Sequence, residues 1–153
     1  FANNIPCVSV STLESMAYNF LSTDCIVCAV MDARCSQVYN ALFEIKSGVV
    51  TRLCDDRALS LDDLKSELLS VDGRIIIAGD GTDITCKYIG NEIKNAEPAP
   101  VNLKYQRASS TALVAFEMIN NGQTVSAQEL MPVYLRLPQA QRELNKKLGG
   151  RTK

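Results

Sequence analysis

The chain has 153 residues, 46% of them hydrophobic and 22% charged, with a formal net charge of −1. That length suits one domain burying about 70% of the surface its unfolded form exposes, and the composition excludes a disordered chain. The balance also excludes a free-standing nucleic-acid binder held by overall charge, although residues 142–153 are locally basic.

No apolar run approaches the length of a membrane span, so a soluble protein is expected. The first residue is Phe1, and no positively charged segment with an apolar core precedes a cleavage site, so the sequence reads as a fragment and not as a secreted mature chain. Six cysteines are present, several within apolar periodic segments where free Cys behaves as a small hydrophobe. A reduced, cytoplasmic compartment is therefore expected. Cys25 and Cys28 form a CxxC, but residues three apart on a strand point to opposite faces and do not grip one metal. With no histidine and no second CxxC, neither a metal nor another cofactor is expected.

In chain order, residues 3–10 read as a short strand or an extended lead-in. Ser11-Thr-Leu-Glu14 is a capping box, with Ser11 accepting from the Glu14 amide and Glu14 reaching back. Leu13, Met16, Ala17, Phe20 and Leu21 follow at helical spacing and predict a helix of about three turns. Cys25-Ile-Val-Cys-Ala-Val-Met31 is apolar on nearly every position, as in a central strand covered on both faces. It stops at Asp32-Ala33-Arg34, and Gln37-Val-Tyr-Asn-Ala-Leu-Phe-Glu-Ile45 resumes as a more peripheral strand. An aspartate beside an arginine at the mouth of a buried strand reads first as a structural ion pair and second as part of a site.

Lys46-Ser47-Gly48 predicts a hairpin turn into a third strand over residues 49–53. Ser60-Leu-Asp-Asp63 is a second capping box, with Leu61, Leu64, Leu68 and Leu69 on one face of the helix it starts. Residues 74–78 form a short buried strand. Gly79-Asp80-Gly81-Thr82-Asp83 then turns into a helix carrying Ile84, Tyr88, Ile89 and Ile93, with Thr82 or Asp83 as N-cap. A glycine-rich turn between strand and helix can cradle phosphate, but this one lacks a Walker Lys and the three-glycine dinucleotide spacing, and its aspartates repel anions. Residues 97–101 carry two prolines, which exclude a central strand and suit a short edge strand or an extended passage. Ser109 or Ser110 caps a helix with Leu113, Phe116, Met118 and Ile119, ended by Asn120-Asn121-Gly122, and the polar tail from Gln139 is expected to be helical.

The resulting order is helix, three antiparallel strands, helix, strand, helix, strand, helix. That order predicts an α/β domain of the RNase H-like kind found in the actin-like ATPase superfamily, a mixed sheet with a three-strand meander and flanking helices. Residues 1–23 are the lead-in and packing helix, 24–138 the RNase H-like domain and 139–153 the tail.

Four motifs carry a closer resemblance. Val8-Ser-Val-Ser-Thr-Leu-Glu14, Met31-Asp-Ala-Arg34 with Gln37-Val-Tyr39, Gly79-Asp-Gly81 and Pro132-Val-Tyr-Leu-Arg136 resemble, in order and spacing, the second half of the bacterial TsaB (YeaZ) family. The resemblance spans nearly the whole chain. It implies a parent with two RNase H-like halves, the N-terminal half and its Phe-Thr-Gly-Leu-Arg region being absent here. It further implies a role in making threonylcarbamoyladenosine in tRNA, as a non-catalytic scaffold that pairs with the paralogue TsaD and recruits the ATPase TsaE. On this reading tRNA is met only through the complex, no membrane is involved, and self-association as a homodimer is expected mainly through the missing half. The older superfamily label, glycoprotease, requires metal ligands this chain lacks. Gln141 departs from the acidic residue expected of many relatives.

The resemblance places Asp32, Arg34 and Tyr39 at the strand turn facing the cleft between halves, while Gly79 and Gly81 are read from the residues themselves as a tight turn. It places Tyr134 and Arg136 in a segment that contacts a partner or tethers the C-terminus to the domain. No catalytic residue is assigned. The competing reading is one lobe of an actin-like nucleotide-using enzyme, a kinase or acyltransferase, with Gly79 to Gly81 near adenosine and Asp32 near a metal.

Overall fold

The computed structural model describes residues 5–135. Its centre is β1 (Cys25–Asp32), buried from Cys25 through Val30. A strand apolar on both faces cannot lie at an edge without exposing one of them. β1 pairs antiparallel with β2 (Gln37–Lys46), from Cys25 opposite Ile45 to Asp32 opposite Val38, and parallel with β5 (Ile75–Ala78) on its other flank. Ser47 and Gly48, both at positive φ, turn β2 into β3 (Val49–Arg52), as the right-handed twist of a hairpin requires. β6 (Ala96–Pro98) is an edge strand parallel to β5, which suits its proline. The sheet order is β3-β2-β1-β5-β6.

Helices cover both faces. α1 (Thr12–Ala17) continues as a 3₁₀ turn over Tyr18–Phe20, and its Leu13, Met16, Ala17 and Phe20 pack on Val27, Ala29, Phe43, Ile45 and Ala78. On the opposite face, α2 (Leu61–Leu68) contributes Leu61, Leu64 and Leu68, and α3 (Thr82–Ile89) contributes Ile89, against Ile26, Cys28, Val30, Leu42, Ile75 and Ile77. Each fully buried Leu or Ile contributes about 1.5–3 kcal/mol relative to exposure. Cys25 belongs to the first layer and Cys28 to the second, so the CxxC does point both ways. α4 (Ala108–Asn120) packs on α1 and the 3₁₀ turn through polar bridges: Ser15 Oγ to Thr111 Oγ1 at 2.6 Å, Ser110 Oγ donating to Asn19 Oδ1 at 2.6 Å, and the Tyr18 hydroxyl donating to Glu117. No helix among the described residues is long and apolar enough to cross a membrane.

Several local expectations are corrected. A fourth strand, β4 (Arg57–Ser60), pairs antiparallel with β2 beside β3, so β2 is paired along both flanks and its Asn40 is fully buried. The first helix tightens to 3₁₀ after six α-helical residues. Glu14 does not reach back to Ser11; its carboxylate meets Arg52 at 2.7 Å, while Ser11 Oγ accepts from the Glu14 amide at 3.2 Å as expected. The N-cap of α3 is Gly81, because the Thr82 hydroxyl donates instead to Gly79 O and Ile77 O. α4 begins after Arg107, with Ser110 inside the helix, and its Leu113, Phe116 and Ile119 face outward. Leu69 lies past α2 and is exposed, and Ile93 is buried but lies beyond α3. The expected helical tail lies outside the described residues.

Candidate functional site

In α/β sheets a ligand crevice opens at the carboxyl ends of parallel strands where the chain order diverges. Here that place is between β1, whose chain goes on to β2, and β5, whose chain goes on to α3 and β6. β1 ends in Asp32, followed by Arg34, Cys35 and Ser36 in succession at φ between +54° and +63°. Three consecutive left-handed residues are costly for L side chains, and Asp32 offsets part of that cost. Its Oδ1 accepts from the Arg34 amide at 2.7 Å and its Oδ2 lies 3.5 Å from the Arg34 guanidinium. The Arg34 side chain is 87% exposed, so the ion pair itself adds little to stability.

The β5–α3 turn lies directly against this end of β1. Gly79 has φ +116°, and a Cβ there would sit 1.9 Å from Val30 O; a Cβ on Gly81 would meet the Val30, Met31 and Asp32 backbone at 3.2–3.3 Å. At 79 only glycine fits, whereas a side chain at 81 would require the β1 backbone to give by a few tenths of an ångström. The Gly81 amide donates to Val30 O at 3.2 Å, the Gly79 amide to Lys104 O at 2.7 Å, and the Asp32 amide to Asp80 Oδ1 at 3.2 Å. Asp32, Arg34, Gly79 and Gly81 are thus brought together, joined by Asp80. The turn offers carboxylates where a phosphate cradle would offer free amides. Among the described residues no group of three or more His, Cys, Asp or Glu side chains is arranged to hold a metal ion.

Tyr39 sits opposite Met31 in the β1–β2 register and faces a neighbouring cavity of about 480 Å³. Ser11, Asp56, Val133 and Tyr134 share its walls. Tyr134 is 83% exposed, and Arg136 lies outside the described residues. Asp56 is already engaged: Oδ2 accepts from Ser11 Oγ at 2.5 Å and Oδ1 from Arg52 at 2.6 Å. Arg52 also lies 4.7 Å over the Phe43 ring. Burial disfavours the Arg52 charge, yet hydrogen bonds to Asp56 and Glu14 outweigh it and raise its pKa. Ser11, Tyr39 and other hydroxyls line the cavity, and among the described residues its one carboxylate, Asp56, is already engaged.

Sequence reasoning missed the Glu14–Arg52–Asp56–Ser11 network. Arg52 and Glu14 are 38 residues apart, and no local rule joins an arginine at the end of a strand to a helix start. Asp80 was visible only as a turn residue.

No protein-family model matches the chain. Over 139 residues it is 27% identical to the tRNA threonylcarbamoyladenosine biosynthesis protein TsaB of Bacillus subtilis (strain 168), covering 90% of this chain and 59% of that protein. The chain is TsaB/YeaZ-like. The solved structure of YeaZ from Pseudomonas aeruginosa matches with a TM-score of 0.67 at 20% identity, over 88% of this chain and 62% of that one. A second, described as an uncharacterized protein with similarity to peptidase YeaZ from the same organism, matches with a TM-score of 0.67 at 21% identity, over 89% and 62%. The TsaB/YeaZ-like chain therefore spans about three fifths of these relatives' lengths, and its fold is the expected RNase H-like α/β one.

Proposed function

We propose that this chain is the second lobe of a non-catalytic scaffold subunit in the machinery that makes threonylcarbamoyladenosine in tRNA. Residues 24–138 form its RNase H-like domain, and the subunit works in the cytoplasm with a TsaD-type paralogue and a TsaE-type ATPase. The observation that carries the proposal is the 139-residue alignment to TsaB. The engaged Asp56 and the carboxylate-bearing turn at Asp32 and Asp80 support a role without chemistry of its own. With a net charge of −1, tRNA is met through the complex. Asp32, Arg34 and Tyr39 shape the surface facing the other lobe, Gly79 and Gly81 hold the turn beneath it, and Tyr134 with Arg136 meets a partner or anchors the C-terminal segment.

Mass spectrometry of tRNA nucleosides from cells depleted of the parent protein tests this. Loss of threonylcarbamoyladenosine, restored by the full-length protein, is the expected result; an unchanged level overturns it. In the restored cells Asp32→Ala is expected to alter stability or assembly only. If the purified parent turns over a nucleotide and Asp32→Ala abolishes that turnover, the enzyme-lobe reading replaces this one.

A further inference from the structure

α4 is attached to the domain differently from α2. α2 enters the core through Leu61, Leu64 and Leu68, whereas α4, among the described residues, buries Ser110 and Val114 and is otherwise held by the side-chain bridges from Ser15, Tyr18 and Asn19. Such bridges exchange for bonds to water and hold a helix less firmly than buried leucines do. α4 is therefore a unit that lifts at low cost while the sheet stays folded.

One of those bridges leads to the β5–α3 turn. Ser110 Oγ donates to Asn19 Oδ1 at 2.6 Å, and the Asn19 amide nitrogen donates to Leu103 O at 2.9 Å and to Tyr105 O at 2.8 Å. Lys104 O, the carbonyl between those two, accepts from the Gly79 amide at 2.7 Å. Three consecutive carbonyls of the β6–α4 connection are thus divided between Asn19 and the turn. A side-chain amide is a rigid plane with two donors and one carbonyl, so the three bonds of Asn19 move together. When Ser110 leaves, the plane is free to rotate, and its bonds to residues 103 and 105 lengthen with that rotation. Leu103 still packs on the α1 side of the core, so the strip loosens without being released. The remaining tie, Lys104 Nζ to Asp83 at 2.7 Å, ends on a carboxylate 82% exposed and holds weakly. Gly79 feels the change directly, because it is pressed against Val30 O on one side and bonded to Lys104 O on the other.

We propose that Asn19 is a positioning residue that couples the seating of α4 to the closure of the β5–α3 turn. The turn beneath Asp32 tightens when α4 is docked and loosens when it lifts, so whatever steadies α4 steadies the candidate site.

Native-state hydrogen exchange, read by NMR at single amides of the isotopically labelled chain, tests this. Ser110→Ala cuts the bond to Asn19 and touches neither the strip nor the turn. It is expected to speed exchange about fivefold at the Gly79 amide as well as at the Val114 amide of α4, the factor carried by one hydrogen bond. Asn19→Asp keeps the acceptor for Ser110 and loses both donors, so it is expected to speed Gly79 and leave Val114 unchanged. Coupling is reciprocal, so Gly81→Ala in the turn is expected to speed Val114. Ser60→Ala weakens the opposite face of the sheet and is expected to leave both rates alone. A Gly79 rate unmoved by Ser110→Ala overturns the proposal, whatever Asn19→Asp does, since Asn19 then merely holds the strip. A Val114 rate indifferent to Gly81→Ala, or a Gly79 rate that Ser60→Ala raises as much as Ser110→Ala, overturns it too.

Discussion

Replacing Gly79 by alanine tests whether the β5–α3 turn is welded to the end of β1. The new Cβ would lie 1.9 Å from Val30 O and 2.9 Å from Val30 C. Ordinary carbon–oxygen contacts begin near about 3.3 Å, so the turn must retreat by roughly 1.4 Å. Retreat strains the 2.7 Å bond from the Gly79 amide to Lys104 O and the 3.2 Å bond from the Gly81 amide to Val30 O. At φ +116° an L residue adds backbone strain of about 1–3 kcal/mol, and overpacking against β1 adds about 1–3 kcal/mol. The expected loss is about 2–6 kcal/mol, a large part of a total that runs to about 5–15 kcal/mol. Gly122→Ala is the control. Gly122 has φ +71° at the end of α4 and nothing within 4 Å of its Cβ position, so only the left-handed penalty of about 1–2 kcal/mol applies. Urea unfolding followed by circular dichroism gives both midpoints at a common slope. If Gly79→Ala costs no more than Gly122→Ala, the close approach is not what fixes this turn.

Three other perturbations read different parts of the molecule. Burial and the bond to Glu117 raise the Tyr18 pKa, so above about pH 10 the unfolded chain loses that proton while the folded chain keeps it. Stability should then fall with rising pH by up to about 1.4 kcal/mol per unit more than in Tyr18→Phe, and parallel alkaline unfolding curves for the two proteins would refute this. Arg52→Met strands the carboxylates of Glu14 and Asp56, each about one quarter exposed, at an expected cost of about 2 kcal/mol. Adding Glu14→Gln and Asp56→Asn should recover part of that loss in denaturant titrations. Ser60→Ala removes the acceptor of the Asp63 amide at 3.1 Å and should lower stability by about 1 kcal/mol, with Ser60→Thr close to neutral in the same melt.

What the sequence revealed was what neighbours along the chain determine. The unbroken apolar run of β1, the Ser47-Gly48 turn and the Ser60 cap each carry their cause within a few residues. β4 has four residues, too few for a period, and its last one doubles as the cap of α2; it becomes a strand only because β2 offers it a free flank from Gln37 to Asn40. The same non-locality hid how Asn40 is satisfied: its amide donates to Ala29 O at 3.0 Å and its oxygen accepts from Arg57, so a polar residue is buried within β2. In the site, the role of Gly79 and Gly81 as a turn was legible, but their reason was not. That reason is the backbone of Val30, nearly fifty residues earlier in the chain. α4 misled in another way: its apolar spacing marks a real face, but periodicity alone does not say whether the domain or something else covers it.

The two-sidedness of the central strand has a practical side. Cys25 and Cys28 sit three residues apart, are buried, and have thiols pushed up by that burial, yet one lies beneath α1 and the other beneath α2 and α3. A thiol reagent reaches the first when one helical cover lifts and the second when the opposite cover lifts. The native chain thus carries two clocks on a single strand. Equal labelling rates mean that both covers part in one cooperative event; unequal rates say which side of the sheet opens first.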